Sequence, residues 1–165
     1  MNSDTKFIIG ATIISILIIV GAAVTLSRDN SPKRENLGVA SMTLDKKEED
    51  LGSMKVSEEK TATFTITNTS DTTLRIWGVS TSCNCTYATV TIGASEMGEF
   101  NMPTHMNSTL KNWVGEIPAS QTATLKAIYR PKIMPVLGII SRQIRFSTND
   151  PKNPEIEVSI KANVL

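Results

Sequence analysis

Alternation of apolar and polar residues is the dominant pattern in the second part of the chain. Residues 61–67 read TATFTIT, which puts the alanine, phenylalanine and isoleucine on one face and the threonines on the other. Residues 155–164, EIEVSIKANV, alternate just as cleanly. Because successive side chains of a strand point to opposite faces of a sheet, both segments predict strands that are buried on one face and wet on the other.

Further segments rich in β-branched or aromatic residues predict strands in the same way. They are residues 73–82, 86–92, 121–130 and 139–148, with residues 40–45 as an edge strand. Turns rich in Asn, Asp and Pro separate them, as at NTSDTT and TNDPKNP. Because no amphipathic helix interrupts the series, we predict an all-β fold, an immunoglobulin-like antiparallel β-sandwich of about seven strands with Greek-key connections.

A continuous apolar run, FIIGATIISILIIVGAAVTL, precedes this domain at residues 7–26. Its roughly 20 uncharged residues match the hydrocarbon thickness of a bilayer, so we predict one N-terminal transmembrane helix. A cleaved signal peptide is the alternative, although its apolar region is usually shorter, about 7 to 15 residues. The predicted organisation is a tail at 1–6, the anchor at 7–26, a polar juxtamembrane linker at 27–38 and the sandwich domain at 39–165.

The charges that flank the apolar run bear on the orientation of the domain. Lys6 and the amino terminus lie before the run, whereas Arg28, Lys33 and Arg34 follow it, and this count by itself favours a cytoplasmic domain. The tail before the run is short, however, and a large C-terminal part can be translocated despite nearby charge. We therefore predict a single-pass protein of the cell membrane whose domain is extracytoplasmic, periplasmic or extracellular, with other envelope proteins as partners.

The composition argues against nucleic acid as a partner. The net charge is +1, and lysines and glutamates are mixed along the chain, so there is no basic face for nucleic acid. The chain has two cysteines, Cys83 and Cys85, which is too few for a disulfide framework. A bridge between positions two apart would close a very small, strained ring.

Three phrases of the sequence together resemble a known family: FTITNTSDTTLRI, VSTSCNCT and STNDPKNPEIEVSIKANV. They resemble Domain of Unknown Function 1573, a bacterial family of small extracytoplasmic immunoglobulin-like domains, from about Asp45 to the C-terminus. The resemblance rests on the Asn68–Thr69 turn, on Ser82–Thr86 with its Cys-x-Cys, and on the Thr148–Pro151 turn. It implies the fold and the extracytoplasmic setting, and the family offers no established activity. Asn84 stands where the family often has glycine, and the long segment that follows occurs in only a subset.

That long segment, residues 93–118, is polar and resists interpretation as a strand, and long loops in compact domains are often functional. It contains NMPTHM, which holds two methionines and the single histidine of the chain. The two cysteines just before it point to the same side if their strand continues. Thiolate, thioether and imidazole ligands suit Cu(I), so a tentative metal site can be assembled. Its candidate ligands are Cys83, Cys85, Met102, His105 and Met106.

Other interpretations of these residues stay open. Zinc could bind Cys83, Cys85 and His105 only if Glu96 or Glu99 supplied a fourth ligand. A redox or disulfide role is a further alternative, although the familiar dithiol motif has two intervening residues and opens a helix. The plainest interpretation needs no ligand, because buried cysteines, gap-filling methionines and solvated loop histidines are common.

Catalysis finds little support, because a nucleophile needs a positioned base and His105 is the single imidazole. We predict no catalytic residues, no organic cofactor and no enzyme. The sequence therefore favours a binding or scaffolding module of the cell envelope, with a Cu(I)-binding protein as the alternative.

Overall fold

The structure is a computed structural model that describes residues 12–19 and 38–165. The chain divides into two compact units, Met1–Asn30 and Ser31–Leu165. In the first unit, residues 12–19 form a helix, α1, whose isoleucine and leucine side chains are exposed. Within the described residues, no helix is both long and apolar enough to cross a bilayer.

Most of the predicted N-terminal organisation lies outside the described residues. The tail at 1–6 does so entirely, and so does all but the last residue of the linker at 27–38. The predicted anchor at 7–26 extends beyond α1 in both directions, so the transmembrane helix and the orientation of the domain stay predictions.

The second unit is a sandwich of two five-stranded sheets. In the first sheet the spatial order is β1 (Met42–Leu44), β3 (Lys60–Asn68), β8 (Thr122–Tyr129), β5 (Thr86–Ile92) and β6 (Ser95–Phe100). In the second sheet it is β2 (Glu48–Met54), β10 (Glu155–Val164), β9 (Gly138–Thr148), β4 (Leu74–Thr81) and β7 (Val114–Ile117).

The core lies between the sheets and is supplied by the strands that alternate most cleanly. In β3 the inward residues Ala62, Phe64 and Ile66 are buried, as the period of two predicts. In β10 every second residue from Ile156 to Val164 is buried in the same way. The predicted two-layer β-sandwich is therefore confirmed, and the predicted strand segments each correspond to an observed strand.

The prediction of about seven antiparallel strands needs two corrections. The described residues form ten strands, three more than predicted. The additional strands are β2, β6 and β7. These three are edge strands, and β2 and β6 are largely exposed on both faces, so they carry little of the alternation by which a strand is recognised. In addition, β2 pairs with β10 in parallel, whereas the other strand pairs described are antiparallel.

The predicted long loop at 93–118 also has regular structure. It contains β6, a 3-10 turn at Pro103–His105, a short helix α2 (Ser108–Lys111) and β7. Trp113 packs its ring against that of Phe100, with 5.2 Å between the ring centroids. Phe100 is part of the hydrophobic core and Trp113 packs against that core, so this contact joins two parts of the segment over the core.

The two ends of the sandwich carry different features. Strand β9 has 11 residues and spans roughly 33 Å. At the Thr148 end, the backbone N–H of Ala40 donates to the carbonyl of Asn149 (3.4 Å), so the described domain begins there. We call this the N-terminal end. Towards the opposite end, the turn with both cysteines lies beside the middle of β9, where the backbone N–H of Ser82 donates to the carbonyl of Gln143 (3.0 Å), and β9 begins beyond it at Gly138; we call this the disulfide end.

Candidate functional site

Cys83 and Cys85 lie in the turn that connects β4 to β5 and carries the chain from one sheet to the other. Their sulfurs form a disulfide, the bridge that the spacing argued against. The two residues are buried, with 4% of Cys83 and 0% of Cys85 exposed. The backbone N–H of Cys85 also donates to Cys83 Sγ (3.1 Å). In this state neither sulfur is a thiolate.

Two polar side chains fix the backbone of the cysteine turn. Thr81 Oγ1 lies 3.0 Å from the carbonyl oxygens of both Cys83 and Thr86. Asn101 Nδ2 donates to the carbonyls of Asn84 (3.2 Å) and Thr86 (3.0 Å) from the end of β6. Thr81 and Asn101 are buried. The sequence analysis missed Asn101, because its role depends on a contact across the turn.

The disulfide itself contributes little as a cross-link. The chain-entropy relation gives about 1.6 kcal/mol for a loop closed by residues two apart, against roughly 3 kcal/mol for a loop of about 15 residues. Hydrogen bonds from Thr81 and Asn101 also hold the turn, in addition to the bridge.

Arg142, a residue of β9, places its positive charge next to the disulfide. Its Nε donates to Cys85 Sγ (3.4 Å), and its Nη1 donates to the carbonyl of Ser141 (2.9 Å). Within the described part of the chain, no carboxylate forms an ion pair with Arg142. The guanidinium therefore places its charge beside Cys85 without a neutralising partner.

Tyr129, the last residue of β8, lies at the same end. Its side chain is fully buried, and its hydroxyl has no hydrogen-bond partner among the described residues. Burial raises the pKa of the Tyr129 phenol, while the nearby charge of Arg142 acts in the opposite direction. A buried hydroxyl without a partner is rare in folded proteins and disfavours the state in which it occurs.

Arg130 fixes the start of the chain segment that leaves β8. Its Nε contacts Glu59 Oε2 (2.5 Å), and its two terminal nitrogens contact both carboxylate oxygens of Glu99 (3.0 and 2.6 Å). Its guanidinium also stacks on the Tyr87 ring, 4.5 Å from the centroid. The hydrogen bonds that Arg130 donates lower the pKa of the Glu99 carboxyl, and donating them to Glu99 and Glu59 raises the pKa of Arg130. The backbone N–H of Arg130 donates to the Cys85 carbonyl (2.8 Å), which joins this cluster to the cysteine turn.

The segment that follows is strongly apolar and exposed. Leu137 is 70% exposed and Ile139 is 86% exposed, and both lie at the start of β9 or just before it. Ile139 also lines a shallow groove of about 250 Å³ beside Gly52, Ser53, Ala162 and Asn163. We call residues 133–139 the apolar segment; its exposed members are Ile133, Met134, Val136, Leu137 and Ile139. The sequence signal was available as PKIMPVLGII, an apolar run broken by two prolines and a glycine.

The predicted Cu(I) ligands are only partly brought together. Met102 is half-buried and follows Asn101, which contacts the cysteine turn. His105 is exposed, and the side chain of Met106 packs into the hydrophobic core. The arrangement of these residues does not test a Cu(I) site directly, so that site stays a prediction, and it applies only to the reduced cysteines.

The two glutamates that could have supplied the fourth zinc ligand are both paired with cationic side chains instead. Glu96 faces Lys126, with Oε2 3.6 Å from Nζ, and Glu99 binds Arg130. Over the described ranges, 12–19 and 38–165, no group of three or more His, Cys, Asp or Glu residues is arranged to hold a metal ion.

Solved structures support the fold. The chain is 19% identical to a protein of unknown function from Porphyromonas gingivalis W83, covering 82% of this chain and 51% of that one, with a TM-score of 0.56. It is 8% identical to a family 123 glycoside hydrolase from Clostridium perfringens, covering 78% of this chain and 27% of that one, with a TM-score of 0.53. It is 12% identical to the PapD-like domain 7 of human CEP192, covering 75% of this chain and 84% of that one, with a TM-score of 0.48. At these identities the likeness to the Porphyromonas and Clostridium proteins concerns the fold alone, and the chain spans about half of the Porphyromonas protein.

Sequence comparison supports the family resemblance over part of the chain. No curated protein sequence matches the chain at a significant level. The Thr148–Pro151 turn, part of the predicted resemblance, lies beyond the family match. Residues 42–112, which include the Asn68–Thr69 turn and the cysteine motif, match the model of the family described as "Protein of unknown function (DUF1573)", so the resemblance is confirmed over these residues.

Proposed function

We propose that this chain is a membrane-tethered, extracytoplasmic binding or scaffolding module that engages a protein partner through the apolar segment. The observation that carries the proposal is the exposure of its five apolar side chains within residues 133–139. Contiguous exposed apolar surface is disfavoured in water and commonly marks an interaction site. Burying such side chains against a partner supplies the main favourable free energy of association.

The position of the apolar segment favours a protein partner. The described domain begins at the N-terminal end, whereas the segment lies at the disulfide end, roughly 33 Å away along β9. The apolar segment is therefore remote from the residues at which the described domain begins. Arg130 holds the start of the segment against Glu59 and Glu99, which reduces the conformational entropy lost on binding.

Two features support the setting of this proposal. A disulfide persists in oxidising compartments, which favours an extracytoplasmic domain over a cytoplasmic one. The described helix α1 exposes isoleucine and leucine side chains, as a lipid-facing segment does. Tethering raises the effective concentration of the module near other membrane proteins, so a modest intrinsic affinity suffices. The Cu(I) alternative has no structural observation in its favour.

The test is site-specific photocrosslinking in cells that produce the full chain. A photoreactive amino acid at Leu137 is expected to give one discrete heavier adduct with another polypeptide. The matched control is the same amino acid at Val39, which is also exposed but lies at the N-terminal end. The proposal fails if Leu137 gives no adduct, if Val39 gives the same adduct, or if the adduct is a second copy of this chain.

A second variant tests whether the apolar surface drives the contact. With the photoreactive group moved to Ile133, the double substitution Leu137→Glu and Ile139→Glu is expected to reduce the adduct about tenfold or more, as loss of a central apolar contact does. An undiminished adduct would show that another surface binds the partner.

A further inference from the structure

We propose that the Cys83–Cys85 disulfide is a redox-active site that exchanges with a cysteine dithiol of another protein, and that Arg142 stabilises Cys85 as the leaving thiolate. The juxtaposition that carries the proposal is Arg142 Nε at 3.4 Å from Cys85 Sγ. The redox proposal does not depend on the binding function proposed above. A small thiol can test it without a protein partner.

The two sulfurs are not equivalent. Cys83 retains 4% exposure, whereas Cys85 is completely buried and lies beside Arg142. Cys83 is therefore the cysteine nearer to solvent, and the proposal assigns its Sγ as the sulfur attacked by an incoming thiolate and Cys85 as the leaving group. A nearby cation lowers the pKa of a cysteine, and a leaving thiol of lower pKa departs faster. Arg142 thus supplies the positive charge that stabilises a thiolate, as the helix N-terminus does in the familiar dithiol motif.

The exchange balances as follows. A partner thiolate forms a bond to Cys83 Sγ, the Cys83–Cys85 bond breaks, and its electron pair remains on Cys85 as a thiolate. The second partner thiolate then attacks the partner sulfur of the mixed disulfide, and Cys83 leaves as a thiolate. The partner dithiol is oxidised to a disulfide and the pair in this chain is reduced, with the protons of the partner thiols passing through solvent to the two new thiols.

The surroundings of the disulfide suit cycling between the two states. Thr81 and Asn101 hold the turn through backbone carbonyls of Cys83, Asn84 and Thr86, and none of these bonds involves a sulfur atom. Breaking the bridge therefore leaves the frame of the turn in place. The loop is also short enough that the bridge contributes little to holding the chain together.

The experiment uses the full chain in detergent micelles with reduced glutathione as the probe. Thiols are trapped with a mass tag at successive times, and folding is followed by tryptophan fluorescence. We expect the wild-type disulfide to be reduced while the domain stays folded. Arg142→Gln is expected to slow reduction about tenfold, whereas Arg142→Lys, which keeps the charge, recovers most of the rate. The matched control Arg145→Gln removes a charge from the same strand, one paired with Glu157, and is expected to leave the rate unchanged.

Single-cysteine variants test which sulfur is attacked. In Cys85→Ser the remaining Cys83 is expected to form a mixed disulfide with oxidised glutathione, whereas Cys83→Ser leaves a buried Cys85 that reacts at least tenfold more slowly. The proposal is overturned if the bridge is reduced only when the domain unfolds. It is also overturned if Arg142→Gln and Arg145→Gln reduce at the same rate, or if Cys85 is the more reactive sulfur.

Discussion

The two ends of the sandwich differ in whether their buried polar groups have hydrogen-bond partners and whether their apolar side chains are covered. At the N-terminal end, buried Asn68, Asn149 and Asp150 use their side chains to bind backbone groups of neighbouring strands. At the disulfide end, Tyr129 buries a hydroxyl with no partner among the described residues, and the apolar segment lies in water. Groups left without partners within the domain cost free energy, which supports the proposal that the apolar segment binds a partner.

Removing a side chain that closes the N-terminal end should have the largest effect. Asn68 Nδ2 donates to the carbonyls of Thr72, Ile117 and Pro118, and its Oδ1 accepts from Ser70. Asn68→Ala leaves these groups without partners, so we expect the free energy of unfolding to fall by roughly 3 to 4 kcal/mol. Urea unfolding followed by tryptophan fluorescence measures the loss.

Asn107→Ala is the control for that experiment, because Asn107 is an exposed N-cap of α2 that accepts one hydrogen bond from Leu110. Its expected loss is about 1 kcal/mol. Equal losses from the two asparagines would contradict the picture of a closed N-terminal end.

Adjacent isoleucines at the start of β9 separate core from binding surface. Ile140 is 5% exposed and Ile139 is 86% exposed. Ile140→Ala should lower the free energy of unfolding by about 3 kcal/mol, because it opens a cavity in the core. Ile139→Ala should change it by less than about 0.5 kcal/mol, as for an ordinary surface position. Thermal unfolding of the two variants provides the measurement, and a large loss from Ile139→Ala would show that the segment packs within the domain.

The free energy of unfolding should depend on pH through Asp150, the buried carboxylate at the N-terminal end. Burial raises the pKa of Asp150, but hydrogen bonds from Asn153 and from the backbone N–H groups of Lys152 and Met42 outweigh it, so the pKa lies below its ordinary value of 3.8. Because the folded-state pKa is depressed, the stabilisation is complete above pH 3.8 and is lost as the pH falls below that value. Asp150→Asn should lower the free energy of unfolding by about 1.5 kcal/mol at pH 7 and flatten its decline in acid. An unchanged acid profile in urea titrations would refute this assignment.

The smallest effect is expected from the unpartnered hydroxyl at the disulfide end. Tyr129→Phe removes a buried polar atom that has no partner among the described residues, so the free energy of unfolding should rise by about 1 kcal/mol. Chemical denaturation at neutral pH measures the change. A loss of stability would instead mean that the hydroxyl binds a group at this end, and the contrast between the two ends would weaken.

The sequence by itself determined the β-sandwich and much of its core. The alternation in residues 155–164 predicted β10 with its correct bounds, and TYATVTI did the same for β5. The turn at NTSDTT was also predicted from composition, and the structure adds that Asn68 organises it with its own side chain. These features are local, because a half-buried strand records its two environments in consecutive residues.

Only the tertiary structure decided the edges of the sheets and the chemistry of the disulfide end. Strands β2 and β6 are mostly solvated on both faces, so their sequences lack a period that could reveal them. The bond from Arg142 to Cys85 joins residues 57 positions apart, and its existence depends on the pairing of β4 with β9. No local pattern encodes such a contact, because it is created by the register of strands that are distant in the chain.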